Sequence, residues 1–489
     1  MEHAVAQNWF ATLALLAWPV VTLWFYGTRP VSQATLWTIL GAYLLLPVGA
    51  SIKLAEGIPQ LDKASIPALA ALVGCFLFAR RPVRFWNGFG LAEVLLLMFL
   101  LGPFVTSSLN SDPVVSGGVL LPGVGVYDGL SAIVAQFLSL LPFFLGRQFL
   151  RSSSDCEETL RTLVVAALFY SLPVLFEIRM SPQLHLWFYG YYPHQFVQQM
   201  RFGGFRPMVF IGHGLSVAFF MMTATVAAAV LWRTRTRVTR LAPAGIVGYL
   251  SVILIMCKSL GALLYGAAAM PLVRWTKPRL QFRTAMALAV VALLYPLLQA
   301  ENFVPTKYMV AAANSISEER ADSLEFRFDH ERQLLDRASQ RLWFGWGRFG
   351  RNRIYDDWGN DIGVSDGRWV ITLGQFGLLG FLAEFGLLAW TVFRAASALR
   401  FAESERDGLF LAALALIVAI NLVDLLPNAG LTSLTWLFAG ALLGRAEFLR
   451  LAARRLPRRD QPAAVASGAE ISAAQKNVAL HKRAKGRAG

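Results

Sequence analysis

Apolar stretches of about twenty residues recur from one end of this chain to the other, each long enough to cross a hydrocarbon layer as a helix. The runs are continuous and not alternating, which excludes a membrane β-barrel. Lipid leaves backbone polar groups no partner outside a helix or a closed barrel, so the pattern predicts an all-α, polytopic transmembrane bundle. Composition agrees. Of 489 residues, 56% are hydrophobic and 15% charged, against about 25% charged in a soluble domain. Spans are expected near 9–26, 34–52, 64–80, 91–107, 129–147, 160–177, 208–232, 241–257, 258–274, 284–300, 369–393, 409–425 and 430–447, which is 12–13 crossings. The stretch 241–274 is long for one span and short for two; it reads as two short helices meeting near Lys258. That lysine either reaches to the surface or lines a polar site.

Charge sets the expected sidedness. Short loops after the odd-numbered spans hold Arg29, Arg147, Arg151, Arg233, Arg240, Lys277, Arg394 and Arg400, while 108–128 and 426–429 hold no Lys or Arg. Cytoplasmic loops collect such residues. The N-terminus is therefore expected outside and the C-terminus inside. Two long polar loops, 177–207 and 301–368, are expected together on the outer face. The transmembrane part is read as 1–447 and a basic, disordered tail as 448–489, touching anionic headgroups. The net charge of +15 is scattered through short loops and this tail, so no nucleic-acid partner is expected. The first residues carry no Lys or Arg and lack the charged start of a secretory signal. Three cysteines form no disulfide framework.

The long loops concentrate arginine and aromatic residues. The first contains Trp187-Phe188-Tyr189-Gly190-Tyr191-Tyr192, then Arg201, Arg206 and His213 at the mouth of the next span. Aromatic faces stack on sugars and guanidinium forks hold phosphate; an interfacial aromatic belt explains 187–192 equally well. The second loop predicts a helix over 318–342, with Leu324, Phe328, Leu335, Ala338 and Leu342 on one stripe and Arg327, His330 and Glu331 beside it. Arg337 and Arg341 are read there as a solvated face. Gly345-Trp346-Gly347-Arg348 follows, a turn in which backbone can approach a ligand closely. Asp366, at a loop–helix junction, is either an N-cap or a general base for a sugar hydroxyl. No Walker loop, HExxH or Cys/His metal cluster occurs.

With these residues in place, the chain resembles the O-antigen polymerase and ligase superfamily of bacterial inner-membrane proteins. The likeness rests on many spans with two large loops, and on 201–214, 258–262, Arg327 followed by Leu334 and Ala338, 345–347, and Asp366 followed by Gly377, Gly380 and Gly386. It implies a C-type glycosyltransferase fold with periplasmic loops, working without metal, nucleotide sugar or other cofactor. The implied donor and acceptor are undecaprenyl-diphosphate-linked glycans, with membrane lipids and a chain-length regulator protein as further partners. By the match, Arg201 or Arg206 and Arg327 bind the diphosphate, with His213, Lys258 and Arg348 beside the substrate. Asp366 stands where ligases have histidine, which favours a polymerase. The alternatives are a ligase that transfers glycan to lipid A core or protein, a lipid-linked oligosaccharide flippase or transporter, and a scaffold of an export complex.

Overall fold

The structure, a computed structural model, describes residues 8–53, 59–78, 83–86, 88–201, 203–315, 318–363 and 366–455. Its described residues form α1 (Trp9–Thr28), α2 (Val31–Leu45), α3 (Ser65–Phe78), α4 (Leu91–Ser108), α5 (Val126–Phe149), α6 (Ser153–Met180), α7 (Leu184–Tyr189) and α8 (Gly214–Arg233). There follow α9 (Pro243–Met256), α10 (Leu260–Trp275), α11 (Pro278–Ala300), α12 (Thr306–Asn314), α13 (Glu318–Ser339), α14 (Arg368–Ala398), α15 (Glu405–Asp424) and α16 (Ser433–Arg455). Three short antiparallel hairpins interrupt them: β1–β2 (Ser51–Ile52 with Leu61–Asp62), β3–β4 (Val114–Ser116 with Val119–Leu121) and β5–β6 (Met200–Arg201 with Gly204–Phe205). Among the described residues, eight helices are long and apolar enough to cross a membrane: α1, α4, α5, α6, α8, α11, α14 and α15. Four more, α2, α3, α9 and α10, are apolar but shorter.

Several boundaries differ from the sequence reading, each for a local reason. The span expected over 34–52 leaves the helix at Leu46, whose extended backbone suits a residue before proline. The span expected from 208 starts at Gly214, because the amides of Met208 and Val209 are taken by the Glu177 carboxylate at 2.8 and 2.7 Å. His213 is thus the N-cap of α8, its Nδ1 accepting from the Leu215 amide, and not a residue of the helix's first turns. α16 continues past 447 to Arg455 because its last turns are pinned. Arg445 donates to Asp407 and Glu403, and Glu447 accepts from Arg147, which also holds the buried Glu93. The rest of the expected tail, from 456 on, lies outside the described residues.

The core is a packed set of helices in which α14 lies against α4, α11, α13, α15 and α16, and α16 runs along α5. Small residues permit that last approach: side chains at Gly440 and Gly444 would run into the backbone of Phe143 and Arg147. α14 breaks at Gly377, whose φ of 66° and ψ of −166° are open only to glycine. The break exposes backbone groups that the 343–347 turn satisfies. Leu378 and Leu379 donate to Leu342 and Trp343, while Trp346 and Gly347 donate to Gly374 and Gln375. The second long loop is therefore stitched into a helix of the bundle.

Candidate functional site

The first loop is positioned from its ends. Glu177, 1% exposed near the end of α6, accepts from the amide of Leu184 at 3.0 Å as well as from Met208 and Val209. The aromatic run turns toward α1 and α2. Tyr189 and Tyr191 donate to the carbonyls of Leu45 and Val48, and Asn8 donates to Phe188. Burial pushes the His185 imidazole beneath it down to about 4, and its Nδ1 lies 2.9 Å from the Tyr191 carbonyl. This run anchors the loop, and of the residues after it His194, Gln198, Arg201, Arg206 and His213 line a cavity.

The second loop is positioned by α13 and the residues after it. Phe328, Leu334 and Ala338 are buried, so α13 packs down on α14. Arg337 and Arg341 are not a solvated face. Both stack on Trp346, with guanidinium carbons 3.6 and 4.3 Å from a ring centroid, and Arg341 pairs with Asp112 at 2.7 Å and hydrogen-bonds Asn110. Arg351, fully buried, donates to the carbonyls of Trp346, Asp112 and Pro122. These arginines clamp the loop to the segment carrying β3–β4.

The two loops meet over a cavity of about 750 Å³ whose wall includes Arg201, Arg206, His213, Arg327 and Asp366. Its floor is built by α8, the end of α15 and the start of α16, through Phe219, Phe220, Ile417, Asn421, Asp424 and Phe438. Five of the seven residues singled out in the sequence thus share one space. Lys258 supports it from behind. Its Nζ donates to the Arg201 carbonyl at 2.9 Å and its own carbonyl accepts from Arg206 at 3.1 Å. Arg348 does not line this cavity; its guanidinium lies over the Phe349 ring, and the charge of Asp128 acts on it. The glycines before it support the turn on the α14 break described above.

The cavity wall is rich in arginine. Burial, then the charges of Arg201 and Arg327, pulls the Arg206 guanidinium down to about 10. Its Nε is buried with no partner among the described residues. Gly214 is required here, since a side chain at that position would strike the Arg206 stem. Burial, then His194, Arg206 and Arg327, pushes His213 down to about 4. It is neutral at physiological pH, with Nδ1 occupied as the helix cap and the proton assigned to Nε2. Arg327 pairs with Asp366 at 3.1 Å; the N-cap of α14 is Gly367, so Asp366 does not cap the helix. Both partners are partly exposed, and such a pair contributes little to stability. Two helix N-termini, of α8 and α16, open on the same space and add partial positive charge. Three arginines and two helix ends around two carboxylates suit a multiply charged anion.

Asp424 also lines this cavity, a residue that the sequence marks only as a charge near a span end. It closes α15 and accepts a hydrogen bond from Asn428 at 3.0 Å. No cation pairs with it among the described residues. A carboxylate ending an apolar run was its signal. His194 lines the cavity too, with its ring centroid 4.6 Å from that of His213. Among the described residues no three His, Cys, Asp or Glu side chains gather as a metal-holding group. No protein-family model matches the chain, and no curated protein matches it.

Glu331 on α13 supplies a pH-dependent link between loop and bundle. It accepts from the Trp369 indole at 2.6 Å and the Tyr295 hydroxyl at 3.3 Å. Burial raises its carboxyl from 4.5 to about 7. Between those values the folded chain keeps a proton that the unfolded chain has released. The contribution of Glu331 to stability is therefore fully present below pH 4.5, falls as pH rises toward 7, and is lost above it. Glu331→Gln is expected to flatten that slope. Melting temperatures of both proteins from pH 5 to 8 check it, and parallel curves would count against the assignment.

Proposed function

We propose that this chain is a bacterial inner-membrane polymerase that joins lipid-linked oligosaccharide repeat units into O-antigen or exopolysaccharide at the periplasmic face. The five shorter or more charged helices, α2, α3, α9, α10 and α16, complete thirteen crossings, with the C-terminus in the cytoplasm. The observation that carries the reading is the gathering of Arg201, Arg206 and Arg327 on one cavity wall over a largely apolar floor. A polyprenyl-diphosphate donor has the matching halves: a diphosphate for the guanidinium forks and a chain for the grooves between helices.

In this reading the acceptor sugar hydroxyl attacks the donor's anomeric carbon. The bond from that carbon to the diphosphate oxygen breaks, and the lipid diphosphate leaves with the electron pair, its charge held by the arginines. The hydroxyl proton passes to a carboxylate. Asp366 is engaged by Arg327, which suits it to orient the guanidinium. Asp424, with no paired cation, is the base we propose. His213 offers an Nε2 proton and so acts as a donor.

The test is a deletion strain of the source organism complemented with each variant, with surface glycans resolved by size. Asp424→Asn is expected to leave single repeat units at unchanged protein level, a loss of about 100-fold or more. Asp366→Asn is expected to shorten chains without abolishing them. The reverse order would return the base to Asp366. Full-length polymer that fails to reach lipid A core would replace the polymerase with a ligase. Normal glycans in both variants would overturn the reading.

A further inference from the structure

A second cavity, about 1,080 Å³, opens at the other end of the bundle. α16 sets the geometry: its first turns line the cavity already described, and its last turns, from Gly444 to Arg454, line this one. Some twelve residues separate Phe438 from Arg450, or about 18 Å along a helix. The remaining walls are the approach to α4, the end of α5 and the end of α14. This is the end that the charge pattern assigns to the inner leaflet.

Its charge is one-sided. Two carboxylates line it, Glu93 and Glu447, and Arg147 engages both. Six further arginines face the space: Arg84, Arg151, Arg394, Arg400, Arg450 and Arg454. Among the described residues none has a carboxylate partner and the buried Arg450 Nε has no hydrogen-bond partner. Like charges gathered around a concave space repel unless an anion fills it. The lip has a different character. Trp86 and Phe89 stack edge to face at 5.5 Å, and Phe89 is 86% exposed. Phe448 and Leu451 are exposed beside them. Aromatic groups of this kind sit at the headgroup level of a bilayer.

We propose that this cavity is a phosphate-binding site distinct from the first, filled by the headgroup of an anionic phospholipid whose acyl chains lie against the aromatic lip. The guanidinium forks supply paired hydrogen bonds to phosphate oxygens, and a space of this size with six arginines takes two phosphates more readily than one. The same phosphate chemistry occurs in soluble polyphosphates, and the test separates the sources. The inference does not depend on what the first cavity does.

Purified full-length protein in detergent is titrated with cardiolipin, with zwitterionic phosphatidylethanolamine, and with inorganic pyrophosphate, and binding is read by thermal shift and native mass spectrometry. The site variant is Arg84→Gln/Arg400→Gln/Arg450→Gln. The control, Arg237→Gln/Arg240→Gln/Arg279→Gln, removes equal charge from positions at the same end that do not line the cavity. Cardiolipin affinity is expected to fall about 10-fold or more in the site variant and to change little in the control. Pyrophosphate binding with the same variant sensitivity, and no response to cardiolipin, would keep the site and assign it a soluble ligand. Equal weakening in both variants, or none in the site variant, overturns the proposal. A measurement on wild-type protein guards against misfolding of the variants. Photoactivatable phosphatidylglycerol is expected to label the segment around Trp86, Phe89 and Phe448 in preference to the rest of the surface, and uniform labelling would contradict the site.

Discussion

Arg327→Ala is expected to lower glycan transfer about 100- to 1,000-fold, the cost of removing one preorganised donor from a developing anion. Arg327 is partly exposed, and among the described residues its ion pair is with the similarly exposed Asp366, so its loss leaves the fold intact. It also removes one of the charges that depress Arg206 and His213. Their proton affinities should therefore rise in the variant. The effect belongs to kcat more than to KM if the guanidinium acts on the leaving diphosphate. Arg327→Lys keeps the charge but not the fork, and partial rescue is expected. Chain length in cells at matched protein level checks both variants. An Arg327→Ala strain with normal polymer would remove Arg327 from the site.

Gly377→Ala carries the largest expected structural effect. The residue sits in a backbone region that a side chain makes costly, and an added Cβ would meet the backbone of Trp343 and Phe344. Strain and overpacking together cost about 2–6 kcal/mol. The consequence is directional. The 343–347 turn loses its seat on α14, and the segment between α13 and α14, which carries Asp366, loses its tether. Increased protease cleavage within 301–367, with the helical signal retained, is the expected outcome. Unchanged cleavage would show that the arginines clamped to Asp112 and Trp346 hold the loop without the helix break.

Much of this architecture was legible in the sequence because apolar run length is a strong signal. The thirteen expected stretches each correspond to a helix, and the division of 241–274 at Lys258 matches the turn between α9 and α10. What failed at the ends was decided by tertiary partners. Glu177 unwinds 208–213 by capturing two amides, and Arg445 and Glu447 extend α16 by pairing across to other helices. Neither is visible to a window on hydropathy. The site was partly legible, since Arg201, Arg206, His213, Arg327 and Asp366 stood out as charge and imidazole at span mouths. Asp424 did not, because much of its environment comes from α8, far from it in sequence. Arg348 shows the opposite limit. It has the same composition and the same glycine neighbours as a ligand loop, yet its turn serves the break in α14.

The most direct test is reconstitution. Purified wild-type protein in liposomes is given the organism's undecaprenyl-diphosphate-linked repeat unit, with chelator present and no nucleotide sugar, and products are resolved by size. A ladder of extended chains from the wild type, reduced to the starting unit by Arg327→Ala, is the predicted result. Unextended substrate with the wild type, or an equal ladder from the Arg327→Ala protein, would contradict the account.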